Sequence, residues 1–153
     1  MSREPKSEAA DHWNSRFKSA DFLFGTEPNL WLRDHAAAFP PKGRVLCVAD
    51  GEGRNSVWLA QQGFQVDAFD IAEIAIEKAR GLATQAGVTV NYQIADCDGF
   101  AWPTDGYDGV AAIFVQFAEP AVREPNLERS RDAMGALQAN RWCPVRELDL
   151  TRR

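Results

Sequence analysis

Apolar positions change their spacing several times along the chain, and each change marks an element. "GRVLCVAD" (43–50) is a near-continuous apolar run, the pattern of a strand buried on both faces of a parallel sheet. "RNSVWLAQQG" places Val57, Leu59 and Ala60 ahead of Gly63, which predicts a short helix closed by a glycine just past its end. "FQVDAFDI" (64–71) predicts a second buried strand. "AEIAIEKARGLATQAG" sets Ile71, Ile74, Ala75, Ala79 and Leu82 near one helical stripe, with glutamates early and Lys78 and Arg80 later, as the helix dipole prefers. "VTVNYQIAD" (88–96) alternates like a strand with unequal faces. The Asp-, Gly- and Pro-rich "DCDGFAWPTDGYD" then predicts turns, and "GVAAIFVQF" (109–117) a fourth strand. Leu127 and Met134 fall on one face of a helix expected after it. Strand and helix alternate, so the fold class expected is α/β, a Rossmann-like, doubly wound parallel sheet with right-handed crossovers.

Length and composition add limits to this picture. At 153 residues the chain has one domain's worth of sequence, and 45% hydrophobic with 25% charged residues is ordinary for a globular protein. A formal net charge of −5 supplies no basic footprint for nucleic acid and argues against an anionic membrane surface. Cys47, Cys97 and Cys143 are odd in number and far apart, so neither a disulfide framework nor a metal site is expected. "MSREPKSEAADHWNSRF" lacks an apolar leader core, and no apolar run reaches membrane-spanning length. The expectation is a cytoplasmic protein with a small-molecule substrate, no nucleic acid and no membrane.

The chemistry concentrates where strands end. In open α/β sheets ligands bind outside the carboxyl ends of the strands, where strand order reverses. Asp50, Asp70 and Asp96 each stand at or just after such an end, converging on one rim. Gly51 and Gly53 would let main chain approach a ligand without a Cβ between, and Asp70 is placed to accept hydrogen bonds from two ribose hydroxyls. A lone aspartate at a strand end is more often a turn former or helix cap; three in succession beside G-x-G point to a nucleoside-bearing cofactor. A dinucleotide favours a third glycine where Ser56 stands, and its pyrophosphate would be repelled by Glu52 within the loop. A cationic sulfonium ligand, S-adenosylmethionine, suits an acidic loop better.

Residues 10–134 resemble the class I S-adenosylmethionine-dependent methyltransferases, within them the small bacterial group related to tellurite-resistance and thiopurine S-methyltransferases. "VLCVADGEGRNSVWLA" is similar to that group's first motif, "VDAFDI" to its second, and "IADCDGFAWP" with "YDGVAAIFVQF" to its third and fourth. "WNSRFKSADFLFGTEPNLWL" (13–32) resembles its N-terminal lead-in, which folds over the cofactor. The resemblance implies that Asp50, Gly51 and Gly53 line the methionine part, with Asn55 bracing the loop. It implies that Asp70 and Ile71 hold the ribose and flank the adenine, that Asp96 and Cys97 face the adenine edge, and that Ile113 and Phe114 sit beneath the sulfonium. Trp13, Arg16 and Phe17 would help close the site. Two positions depart from the group's pattern: Cys47 stands where an acid is common, and Ala49 where a glycine is. His12 and His35 are scattered and are given no catalytic role, and Arg54 is expected to pair or cap at the surface.

Methyl transfer chiefly requires alignment of nucleophile, methyl and sulfur, and neither a general base nor the acceptor is legible in the sequence. The domain is expected over residues 1–134, with a lead-in at 10–42 and an atypical tail at 135–153. Only four of the family's seven strands are recognisable, because "GALQANRWCPVRELDLTRR" lacks the expected Pro-Gly-Gly turn and apolar strand. A shifted reading frame would account for this, and a naturally short or divergent tail is the alternative. Arg141-Trp142-Cys143 read one base further begins Gly-Gly when the Arg141 codon ends in GG, and Gln138-Ala139 becomes Lys-Pro. The truncation would leave an apolar sheet edge prone to aggregation. Two other functions stay open on the sequence alone: a non-catalytic remnant or interaction module, and a nicotinamide-dependent oxidoreductase.

Overall fold

The computed structural model describes residues 5–113 together with positions 125, 128, 129, 132 and 133. The expected strand at 109–117 beyond residue 113, the face formed by Leu127 and Met134, Phe114 and the tail lie outside the described residues. Helix α1 spans Pro5–Arg16 and α2 spans Leu30–His35, continued by a 3-10 turn at Ala36–Ala38. Strand β1 (Arg44–Val48) leads through the glycine turn into α3 (Arg54–Gln61). Then come β2 (Gln65–Asp70), α4 (Glu73–Ala86), β3 (Asn91–Ile94) and β4 (Gly109–Ala112).

The four strands form one parallel sheet in the order β3-β2-β1-β4. Order reverses between β1 and β4, so the switch point lies at the carboxyl end of β1, where the glycine turn begins. Because side chains alternate across a strand, β1 and β2 serve two cores. Val45, Cys47, Val66 and Ala68 face α3 and α4, packing with Val57, Leu59, Ile76, Ala79 and Ala83. Leu46, Val48 and Phe69 face the other way, onto Phe100 and Tyr107. The crossover from β3 to β4 covers this second face with aromatic rings, Phe69 and Phe100 stacked at 4.3 Å with Trp102 edge-on to both.

Three details differ from the sequence expectation. Strand β3 is only Asn91–Ile94 and lies at the sheet's edge, with Tyr92 buried and Ile94 48% exposed, which explains its mixed pattern. The buried stripe of α4 is Ala75, Ile76, Ala79 and Ala83, rotated by one residue from the expected set, because Ile71 precedes the helix while Ile74 and Leu82 lie at the margin. And Lys78 and Arg80, later than the glutamates as expected, sit mid-helix where the dipole gives them little, the last turn holding no basic residue; Lys78 has a different use, described below.

Candidate functional site

The turn after β1 is built from backbone that most residues avoid. Ala49, Gly51 and Gly53 have φ of 50°, 64° and 92°. Gly53 is required twice over, since a Cβ there would lie 2.7 Å from the Ala79 Cβ of α4 and 3.1 Å from the Tyr92 hydroxyl. A Cβ at Gly51 would meet only Phe17 Cζ, at 3.8 Å, so that side of the turn has room. Ala49, where the group resembled has glycine, carries the strain of a left-handed residue with a side chain.

The rim aspartates have distinct partners. Asp70, 8% exposed, accepts from the Gly51 N–H at 2.9 Å and from the Ala72 N–H at 2.9 Å, and so ties the end of β2 to the glycine turn. Burial raises its pKa, and the backbone hydrogen bonds oppose that rise. Asp50 turns its carboxyl inward to the start of α3, accepting from the Ser56 N–H at 3.3 Å and bonding to the Ser56 hydroxyl. It thereby supplies an acceptor for a first-turn N–H of α3, whose N-cap residue, Gly53, has no side chain to do so. The residue is partly exposed at the turn, yet its carboxyl group is enclosed, and that enclosure pushes its pKa up to about 8 against the opposing Ser56 hydrogen bond. Asp96 accepts from the Gly99 N–H and shapes the turn after β3. Cys97, beside it, has its thiol pushed up to about 11, chiefly by burial; its carbonyl accepts from Trp102 and Arg129. Cys47 is fully enclosed in the sheet, and burial raises its thiol pKa well above the usual range.

The lead-in is latched to this rim by polar contacts. Glu52, within the glycine turn, accepts from the Leu23 N–H at 2.7 Å and pairs with Lys78 at 2.6 Å. Lys78 also donates to the Asp21 carbonyl at 2.9 Å. Asn55, buried at the start of α3, accepts from the Asn29 N–H at 2.8 Å, while the Asn29 side chain caps α2 through the Leu32 N–H. Asn14 of α1 accepts from the Ile74 N–H at the start of α4. Phe17 packs with Ala72 and Ala75, and Trp13 stacks on it with Arg16 5.3 Å above the Trp13 ring.

Asp50, Gly51, Gly53, Asn55, Asp70, Ile71, Trp13, Arg16 and Phe17 are thus gathered around the ends of β1 and β2, and Asp96 and Cys97 follow the end of β3. Ile113 follows β4 and packs on the α3–α4 core; Phe114 lies outside the described residues. Glu52 does more than acidify the loop. Its charge is matched by Lys78 and directed at the lead-in, which removes the repulsion expected against a pyrophosphate and leaves Ser56, at the third-glycine position, as the feature that disfavours a dinucleotide. Tyr92 and Asn29 were not singled out from sequence, and Ser56 and Lys78 were read there only as the third-glycine position and as a helix charge, not as partners of Asp50 and Glu52; Asn29, a capping residue directly before "LWL", carried a local signal. Arg54 is half-buried over the Phe24 ring, and burial lowers its pKa. His35 stacks on Trp31 at 4.2 Å and His12 lies edge-on to Trp13, both away from the glycine turn's hydrogen bonds. Among the described residues no group of His, Cys, Asp and Glu could hold a metal ion, and no helix is long and apolar enough to cross a membrane.

A profile for the methyltransferase domain matches residues 45–134, from β1 through the segment after β4. The chain belongs to this methyltransferase-domain family. It is 36% identical over 84 residues to an uncharacterized protein of Mycobacterium tuberculosis, a match covering 54% of this chain and 31% of that protein. It is 37% identical over 68 residues to the 2-heptyl-1-hydroxyquinolin-4(1H)-one methyltransferase of Mycobacteroides abscessus, covering 44% and 28%. The chain therefore matches about three tenths of the length of these curated relatives. The fold is shared with a TehB-like SAM-dependent methyltransferase from Corynebacterium glutamicum, at a TM-score of 0.58 and 21% identity over 86% of this chain and 67% of that one.

Proposed function

We propose that this chain is the cofactor-binding region of an S-adenosylmethionine-dependent methyltransferase that acts on a small molecule, thiols, oxyanions and small metabolites being the acceptors that the family resemblance allows. One observation carries the reading: Asp70, glycine turn and lead-in meet at the carboxyl end of β1, beside the reversal of strand order. The residues suit an adenosine ligand. Asp70 is fixed by the Gly51 and Ala72 N–H groups, one on each oxygen, at the strand end where the ribose of such a ligand would lie. Gly51 leaves room on the ligand side of the turn.

In this reading Asp50, Gly51 and Gly53 shape the methionine end and Asn55 holds the lead-in against the loop. Asp70 and Ile71 take the ribose and adenine side, Asp96 and Cys97 the adenine edge, and Ile113 and Phe114 the sulfonium. Trp13, Arg16 and Phe17 close the site. When bound, the cofactor supplies a methyl group on a positively charged sulfur whose departure leaves a neutral thioether. The protein's part is to hold that group, through Asp70 and the glycine turn, and to keep water away with the Trp13–Phe17 stack. We place the chain in the tellurite-resistance and thiopurine methyltransferase group on its G-R-N-S and G-T-E-P-N motifs. We also divide it into a domain over 1–134 and an atypical tail over 135–153, a division that the coding DNA tests by the frame it reads in after residue 134.

Calorimetric titration of S-adenosylhomocysteine into the 153-residue chain, with NAD as control and circular dichroism on the same sample, tests the assignment. Micromolar binding of the first ligand alone is the expected result. Binding of NAD alone, or of neither ligand by a folded sample, overturns it.

A further inference from the structure

The enclosed carboxyl of Asp50 leans on a hydroxyl that has more neighbours than hydrogens. Ser56 Oγ lies within hydrogen-bonding distance of Asp50 Oδ2, of the Gly53 carbonyl at 3.2 Å and of the Tyr92 hydroxyl at 2.9 Å. A serine hydroxyl has a single hydrogen to give. With Asp50 ionised, that hydrogen goes to the carboxylate, and the Gly53 carbonyl keeps only the Val57 N–H at 2.9 Å. With Asp50 protonated, the carboxylic O–H donates to Ser56 Oγ, and the serine hydrogen is released to the Gly53 carbonyl. Tyr92 can donate to Ser56 in both states. The proton on Asp50 is thereby exchanged for a hydrogen bond at Gly53, inside the turn on which the cofactor is proposed to rest.

The surrounding charges leave this carboxyl poised. Strand β1 presents the Cys47 thiol, β2 the buried Asp70 and β3 the Tyr92 phenol. Helix α3 presents Arg54, which favours the ionised form, while Asp70 disfavours it. Glu52, also in the turn, is matched by Lys78 of α4. Burial is the largest influence and holds Asp50 up at about 8, so its carboxyl is mostly protonated at neutral pH. An additional positive charge brought close to the turn reverses that preference; donor and spent product both carry the ammonium and carboxylate of the methionine part, so they differ there by the sulfonium charge alone.

We propose that Asp50 is a positioning residue that responds to the charge on the cofactor's sulfur, releasing its proton to solvent when S-adenosylmethionine, with its sulfonium, binds and keeping it when S-adenosylhomocysteine, uncharged at sulfur, binds. The inference rests on the cofactor reading above. It gives the buried Asp50–Ser56–Tyr92 chain a use beyond capping α3: the donor is held more tightly than the spent product, and the margin grows with pH.

Titration calorimetry of both ligands at pH 7, each in phosphate and in Tris, counts the protons released from the dependence of the observed enthalpy on the buffer. S-Adenosylmethionine is expected to release close to one proton more than S-adenosylhomocysteine, and the ratio of their affinities to rise by up to about tenfold per pH unit below pH 8. In Asp50→Asn the difference between the two ligands disappears, whatever affinity the two lose together; where the variant binds neither ligand, Tyr92→Phe is read in its place. If Asp50→Asn is unfolded by circular dichroism, Tyr92→Phe serves instead. Loss of the phenol donor makes Ser56 a poorer donor to the carboxylate, so the midpoint of the pH dependence moves upward. Equal proton counts for two ligands that both bind overturn the role of Asp50 and leave the cofactor assignment standing. So does a difference that persists in Asp50→Asn, or an unmoved midpoint in Tyr92→Phe. A folded wild-type chain that binds neither ligand overturns the cofactor assignment itself.

Discussion

The turns that follow β1 and β2 begin alike and end differently. Each strand closes on an aspartate, Asp50 just past β1 and Asp70 at the end of β2. Asp70 is met by backbone N–H groups of Gly51 and Ala72, rigid donors that face a carboxylate whatever the solvent does. Asp50 is met by one long backbone N–H and a hydroxyl that can give or take a hydrogen. The first turn also needs left-handed backbone at residues 49, 51 and 53, whereas no residue from 70 to 73 has positive φ. The same residue type at equivalent places in two β–α units therefore acts as a fixed anchor in one and as a titratable brace in the other. The partner set decides, and the partner set follows from the loop's path.

Removing the anchor should have the largest effect. Asp70→Ala leaves the Gly51 and Ala72 N–H groups without their acceptor and takes away the proposed ribose contact. Two charge-assisted hydrogen bonds at about 1.5–3 kcal/mol each predict a loss of several kcal/mol of stability, read by urea unfolding. S-Adenosylhomocysteine affinity should fall at least about 100-fold, read by calorimetry on protein that is still folded. An affinity within a factor of a few of wild type would show that Asp70 is only a structural tie.

Next in size is the latch that joins the first turn to the lead-in. Glu52→Gln leaves Lys78, whose side chain is 17% exposed, without its carboxylate partner, and weakens the bond from the Leu23 N–H. Breaking one side of a buried pair costs about 3–5 kcal/mol; the partial exposure of Lys78 places this case near or below the low end. The lead-in should loosen first, so limited proteolysis should cut between residues 18 and 26 faster in the variant than in wild type. Equal cutting rates would mean that Asn55 and Asn14 hold the lead-in alone.

How far these features could be read from sequence follows from how local they are. The strands at 44–48 and 65–70 were legible because burial on both faces leaves continuous apolar runs, and Asp70 because it closes one of them. The lead-in's W-x-x-R-F motif marked Trp13 and Phe17, which do pack against the start of α4. The latch was not legible. Glu52 and Lys78 are 26 residues apart, and the pair exists only because α4 runs past the glycine turn at the distance Ala79 allows. Tyr92 was hidden for a related reason, since a tyrosine in an edge strand reads as an ordinary β residue until Ser56 comes within 2.9 Å. Asp50 could be placed at the rim, but whether its carboxyl faced outward or inward depended on backbone angles that the sequence hardly restricts at glycines.

The brace should reveal itself through pH. The pKa of Asp50 is raised on folding, from the ordinary carboxylate range to about 8, so the folded chain holds a proton that the unfolded chain has already lost. Its contribution therefore favours the folded state fully below about pH 4 and is lost as pH rises toward 8, by up to about 1.4 kcal/mol per pH unit within that window. Asp50→Asn should flatten the corresponding slope in stability between pH 5 and 8, measured by urea unfolding at several pH values. Asp70, also raised, contributes a slope of the same sign that the variant retains. An unchanged slope would mean that Asp50 is ionised in the folded chain.

The smallest effect tests the backbone half of the comparison. Ala49 adopts a φ of 50° between Val48 and Asp50, a conformation that costs a residue with a Cβ roughly 1–2 kcal/mol. Ala49→Gly removes that cost but adds conformational freedom to the unfolded chain, worth roughly 0.4–1 kcal/mol in the opposite direction. The net expectation is a gain of about 0.5–1 kcal/mol, seen as a rise of a few degrees in Tm, because strain relief exceeds the entropy term where native φ is positive. The matched control is Ala72→Gly after β2, where φ is −88° and the side chain is fully buried against Phe17 and Ala75. That substitution has no strain to relieve and should destabilise. If both variants destabilise alike, the turn after β1 is not strained at Ala49, and the contrast between the two turns reduces to the partners of their aspartates.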